Sequence, residues 1–298
     1  MNAQPITHRD RVWRVIATPG IAWLVALFVV PFYAVACVAF GRIDPIFRSA
    51  APEWNPLAWD ATTAVGVLGD ISNGPLRGVL LRTVVFVVVA VLISFIIGYP
   101  VAYYLARHAG RRRTLLLALV VLPFWVSYLM RMLAWVNLLQ PDGFGSRALR
   151  LIGLDRVWLD GSATTVVLGL VYGYVPFLIL PLYATLERID WRLVDAARDL
   201  GASSRQAFWR VTLPLSKPGI AAGALLLALP MLGDYYTNDL LSRSPNTEML
   251  GNQIDFFLNA GTQPQRGATL VLVLALMLAV GASWYVRSVV RQVAEATR

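Results

Sequence analysis

Cysteine, histidine and lysine are nearly missing from this 298-residue chain, and each shortage removes a class of chemistry. Cys37 is the only cysteine, so no intrachain disulfide forms and thiolate metal clusters are excluded. His8 and His108 are the only histidines, too few for a histidine-rich metal site, and no H-E-x-x-H or G-x-S-x-G stretch occurs. Lys217, the one lysine, lies between Ser216 and Pro218. The chain therefore lacks the G-x-x-x-x-G-K-S/T loop in which a lysine reaches nucleotide phosphates. These gaps argue against an enzyme and against a self-sufficient ATP-driven pump. No catalytic residue, bound cofactor or metal ligand is expected on this chain.

Charge is also scarce. Only 14% of residues are charged while 57% are hydrophobic, a balance unsuited to a water-soluble globule. Uncharged stretches run over 15–41, 83–106, 114–130, 161–186, 218–233 and 267–286. A helix needs about 20 residues to cross a hydrocarbon layer about 30 Å thick. Four stretches meet that length. The third does so once Met132–Leu139 beyond Arg131 is added, and the fifth is expected to run on past Asp234. The fold expected is all-α, a polytopic membrane protein of about six transmembrane helices. Ala34-Val35-Ala36-Cys37 has the look of a lipoprotein cleavage site, but its 27-residue uncharged run exceeds a signal-peptide core and favours a retained first span.

The net charge of +9 is distributed by side. With six spans, both termini share a face with the segments 107–113 and 187–217, which together hold 16 Arg or Lys against 6 acids. The opposite face holds 10 bases and 11 acids. Basic segments stay inside, so both termini and the 187–217 loop are expected to be cytoplasmic, and nucleic-acid binding is not expected. The chain divides into 1–79, holding the N-terminal tail, first span and external loop, and 80–298, a five-span core with the 187–217 loop. The external segment 42–79 contains Pro45, Pro52, Pro56, Gly66, Gly69, Gly74 and Pro75, which forbid one continuous helix.

In the 187–217 loop the pattern becomes amphipathic. Ile189, Leu193, Ala197 and Leu200 recur at helical spacing among charged residues, predicting a surface helix over 188–200. Gly201 suits the left-handed turn that ends a helix, and Ser203 with Gln206 predicts a capping box opening a second one. Amphipathicity alone fits either a solvated connector or a docking element.

The stretch Asp195-Ala196-Ala197-Arg198-Asp199-Leu200-Gly201, then nine residues, then Val211-Thr212-Leu213-Pro214, resembles the cytoplasmic "EAA" loop of permease subunits of binding-protein-dependent ABC importers. Asp195 stands for the usual Glu and Val211 for the usual Ile. Further stretches resemble the spermidine/putrescine branch: Gly98–Tyr103, Leu122–Ser127 with Arg131 and Ala134-Trp135, Val175-Pro176-Phe177 and Gly233–Thr237. Arg243 departs from that branch's Leu-Leu-Gly-Gly pattern, which leaves open another small solute such as an amino-acid derivative, iron or an oxyanion. The resemblance implies a MetI-like permease in the bacterial inner membrane, paired with a second permease, two ATP-binding subunits and an external substrate-binding protein. ATP would be used by those partners. Asp195, Ala196, Ala197, Gly201, Leu213 and Pro214 are the implied coupling residues.

For the solute path the candidates are Trp125, Tyr128, Trp135, Asp234, Tyr235 and Asp239, with Tyr172 and Tyr174 as weaker additions. A carboxylate pairs with an organic ammonium, and an aromatic face attracts the same cation. The plainer alternative is an interfacial aromatic belt with solvated acids. Arg82 and Arg131 are expected to snorkel from span ends. An ion-coupled secondary transporter would need ionisable groups near the bilayer midplane, and no acid lies well inside any span.

Overall fold

In an uncharged run the backbone is the main polar content, and a helix pairs its interior N–H and C=O groups within the segment. The computed structural model follows that requirement over the residues it describes: 8–44, 46, 49–154, 157–259 and 263–296. Residues 1–7 of the tail and Pro45, counted among the loop breakers, lie outside the described residues.

α1 (His8–Ala39) leads into a two-residue antiparallel pair, β1 (Arg42–Ile43) with β2 (Ala50–Ala51), and then α2 (Thr62–Ser72). The chain continues through α3 (Pro75–Arg107), α4 (Arg113–Val121), α5 (Tyr128–Leu139), α6 (Phe144–Leu151) and α7 (Ala163–Glu187). Next come α8 (Arg192–Asp199), α9 (Ser204–Ala207), α10 (Leu213–Leu232), α11 (Tyr236–Leu241), α12 (Leu250–Asn259) and α13 (Pro264–Ala296). Five stretches are long and apolar enough to cross a membrane: Ile16–Ala39, Pro75–Arg107, Ala163–Glu187, Ser204–Leu232 and Pro264–Arg287. A sixth crossing arises when Gly110–Trp125 and Tyr128–Leu139 are taken as one broken span, bent by 88°.

Two compact units are present, one from Met1–Asp70 with Ile254–Val273, the other from Ile71–Gln253 with Leu274–Arg298. Within the first, Arg266 pairs with Asp70 and its guanidinium lies 5.1 Å from the Phe257 ring centroid. The second is built around α7, whose Leu170, Leu178, Leu182 and Leu186 are fully buried. Val87 and Ala90 of α3 and Leu227 and Met231 of α10 join its upper half in one apolar cluster, and Ala102 and Leu105 of α3 cover its lower half. On its other flank α3 leaves Leu81, Val85, Val88, Leu92 and Ile96 exposed, as suits a helix whose surroundings there are hydrocarbon.

Three expectations need correcting. The third span is not one helix through Pro123: a 3₁₀ turn at Leu122–Trp125 and extended residues Val126 and Ser127 interrupt it, because proline cannot donate to the preceding turn. The fifth span does not run on past Asp234. It ends at Leu232 with Gly233 as its cap, and gains its length from the other side, where α9 passes through a wide π-turn at Phe208–Thr212 into α10. Arg82 and Arg131 do not snorkel. Arg82 donates to the Glu248 and Asn246 carbonyls, and Arg131 is buried among aromatic rings.

Close approach of α5 to α7 depends on Gly173, where a Cβ would meet Tyr128 Cε2 at 2.6 Å. Gly173→Ala is expected to destabilise by about 1–3 kcal/mol despite alanine's better helix propensity, because the ring is fixed and cannot yield. Gly78→Ala on α3, where a Cβ meets nothing within 4 Å, is the control and should be neutral or stabilising in the same detergent unfolding assay. Equal behaviour of the two variants would refute this packing.

Candidate functional site

Asp234 follows the α10 cap directly and turns the chain into α11. It is only 6% exposed, so its carboxylate must find partners inside the protein. The Thr237 backbone N–H, in the first turn of the short helix that follows, donates to Oδ1 at 2.9 Å. Oδ2 accepts from Tyr128 of α5 at 2.7 Å, Tyr174 of α7 at 2.8 Å and the Thr237 hydroxyl at 2.9 Å. One carboxylate thus joins three membrane-spanning segments. Both of its oxygens are engaged by the chain's own donors, unlike the solvated acids of an interfacial belt.

Around this centre four rings form one run, and a separate pair joins them across the Arg131 guanidinium. Tyr128 and Tyr174 lie 5.4 Å apart, Tyr174 and Phe177 6.3 Å, Phe177 and Phe124 4.9 Å, and Trp135 meets Tyr172 edge-on at 5.4 Å. Arg131, 8% exposed, places its guanidinium carbon 5.3 Å from the Tyr128 centroid and 5.2 Å from that of Phe124. Of the six path candidates, Tyr128, Trp135 and Asp234 belong to this set. Trp125 stands away from it, 85% exposed at the break of the third span. Tyr235 stacks on Tyr236 at 4.1 Å, and its carbonyl together with the Asp239 carboxylate holds the Asn252 amide. Tyr174, a weaker candidate in the sequence, and Thr237, not a candidate there, do as much at Asp234 as Tyr128. The single sequence signal for Thr237 is its place three residues after the acid.

The coupling candidates lie at the opposite end of α10. α8 covers Arg192–Asp199, shorter than the 188–200 expected, because the Asp190 side chain accepts from the Arg192 N–H and forms a turn ahead of the helix. Gly201 has φ +89°, and the capping box of Ser203 and Gln206 opens α9, as the spacing predicts. Asp195 pairs with Arg107 at the end of α3 at 3.3 Å, while the same guanidinium lies 4.7 Å over Trp191. Arg107 is half-buried but Asp195 is exposed to solvent, so the pair contributes little stability, about 0–1 kcal/mol. Ala196 is exposed and Ala197 half-buried. Of the amphipathic set only Ile189 is buried; Leu193 and Leu200 are exposed, as is Trp209. Leu213 and Pro214 open α10. Arg107 and Trp191 had no local sequence signal, since Arg107 lies 88 positions from Asp195.

The family described as the binding-protein-dependent transport system inner membrane component matches residues 95–295. The spermidine/putrescine transport system permease protein PotB of Escherichia coli (strain K12) is 41% identical over 176 residues, 56% of this chain and 63% of that protein. The inner membrane ABC transporter permease protein YdcU of the same organism is 36% identical over 216 residues, 67% of this chain and 68% of that protein. The chain spans about three fifths of the length of the PotB relatives it matches. Among solved structures, a chain of a bacterial alginate ABC transporter superposes with a TM-score of 0.70 at 18% identity, covering 93% of each chain. A chain of the MetNI methionine ABC transporter gives 0.55 at 21%, covering 73% of this chain and 95% of that one. At these identities the likeness concerns the fold.

Replacing Asp234 by Asn sets an amide NH2 against either the Thr237 N–H or the three hydroxyls now gathered on Oδ2, and is expected to cost about 1–3 kcal/mol. Tyr128→Phe and Asp234→Asn should be non-additive by about 0.5–3 kcal/mol in a double-mutant cycle of detergent unfolding, whereas additive losses would show that the two groups act separately.

Proposed function

The chain belongs to the family of binding-protein-dependent transport system inner membrane components, and from that premise we propose that it is the permease subunit of an ATP-driven importer of polyamines. The observation that supports the solute most directly is the 41% identity to PotB relatives, named for spermidine and putrescine transport, over more than half of this chain. The solute path would run between this chain and a second permease. An external binding protein would deliver solute, and two ATP-binding subunits would supply the hydrolysis, since this chain's sequence holds no P-loop. The charge asymmetry supports cytoplasmic termini, with the 187–217 loop facing the ATP-binding subunits.

Coupling follows from how α8 is mounted. Leu193 and Leu200 are exposed apolar groups on a short charged helix, and such a face is suited to a groove on a partner. α8 is tied to α3 through Arg107–Asp195 and passes by the Gly201 turn into α9 and α10. Movement of an ATP-binding subunit would reach the spans as a rigid-body shift of these packed helices. Asp195 serves first its own Arg107 in this arrangement, and it has exposed surface left for a basic partner group.

The test is uptake of radiolabelled spermidine and putrescine into vesicles holding the full set of subunits, with ATP supplied or omitted. ATP-dependent accumulation supports the proposal. Accumulation independent of ATP would replace it with an ion-coupled transporter, and ATP-dependent turnover without polyamine accumulation would discard the solute and keep the importer. Gly201→Val forces a β-branched residue into positive φ with no steric contact to blame, since a Cβ there meets nothing within 4 Å. It should leave membrane insertion intact and lower uptake at least about tenfold, given a strain of about 1–2 kcal/mol that α8 relieves by leaving its seat. Normal uptake by this variant contradicts the coupling role.

A further inference from the structure

Arg131 is held by ring faces and by no hydrogen bond at two of its nitrogens. It is 8% exposed, and Nε and Nη1 have no partner among the described residues. Its guanidinium carbon lies 5.2 Å from the Phe124 centroid, 5.3 Å from Tyr128 and 6.0 Å from Tyr172. A buried guanidinium ordinarily meets a carboxylate in a two-pronged pair. The carboxylate at hand, Asp234, does not take that part, because Tyr128, Tyr174 and Thr237 already fill its oxygens.

The negative charge instead reaches Arg131 through Tyr128, whose hydroxyl donates to Asp234 and whose face bears the cation. A phenol donating to a carboxylate becomes more electron-rich, which strengthens the attraction of its face for a positive charge. Trp135 meets the edge of Tyr172 at 5.4 Å and fixes the orientation of that ring.

We propose that Phe124, Tyr128 and Tyr172 form a seat for one organic cation, the alkylammonium or alkylguanidinium end of the solute, and that Arg131 fills this seat from within when no solute is there. Ring faces are not directional, so an ammonium fits where a guanidinium does. Arg131 leaves without breaking a bond at Nε or Nη1. One acid behind the cage suits one cation in front of it, so solute and Arg131 exclude each other. The solute part rests on the polyamine reading; the cage as a cation site does not.

The test uses the complete transporter in detergent and equilibrium dialysis against radiolabelled butylguanidinium, with spermidine uptake measured on the same preparations. Arg131→Gln empties the seat and is expected to bind butylguanidinium at least about tenfold more tightly than the unaltered protein, while Arg131→Lys does not. Adding Phe124→Leu to Arg131→Gln should cancel the gain. Arg131→Met gives the same expectation where Gln disturbs assembly. Unchanged or weaker binding by the charge-removing variants overturns the proposal. Uptake of spermidine without that gain discards the cage alone, and the gain without spermidine uptake discards the polyamine reading alone.

Discussion

A carboxylate buried where three membrane segments meet must be satisfied by the protein, and the arrangement of the second unit follows from how Asp234 achieves this. Its partners come from α5, α7 and the start of α11, so its hydrogen bonds hold the broken third span against the central helix. Breaks in spanning helices free backbone groups that lipid cannot satisfy. Both breaks here, at Val126–Ser127 and at Gly233–Tyr235, lie beside this polar cluster rather than on the lipid-facing flank of α3. Gly173 makes the junction possible, because any side chain there would occupy the place of the Tyr128 ring.

α10 runs between the two candidate sites. Its 20 residues span about 30 Å, with the α8–α9 turn before its first residue and Asp234 two positions beyond its last. A displacement at Gly201 and one at Asp234 are therefore linked by a single helix packed along α7 through Leu227 and Met231. Packed helices of this kind shift as bodies rather than bend, which gives the coupling proposal its mechanical basis.

Much of this was legible in the residues. Charge-free runs locate the spans, and Gly201 and Ser203–Gln206 announce the turn and the cap, because those signals are local. The break of the third span was only half visible: Pro123 marks the place, but an 88° bend depends on where Tyr128 finds its partner, 106 positions away. The identity of Asp234 as a conspicuous acid was legible, whereas its occupation by two tyrosines was not, since the hydroxyls come from other helices. The burial of Arg131 is hidden in the sequence for the same reason. A cation near a span end snorkels unless neighbouring rings enclose it, and enclosure by Phe124, Tyr128 and Tyr172 is a property of packing.

In the proposed function, Asp234 holds the spans together while solute passes over ring faces beside it. The most direct test of this arrangement is a structure of the complete transporter under turnover with spermidine. The Tyr128 and Tyr174 hydroxyls should still donate to Asp234, with α8 seated on an ATP-binding subunit. An Asp234 carboxylate released from both tyrosines and paired directly with the solute would contradict that arrangement.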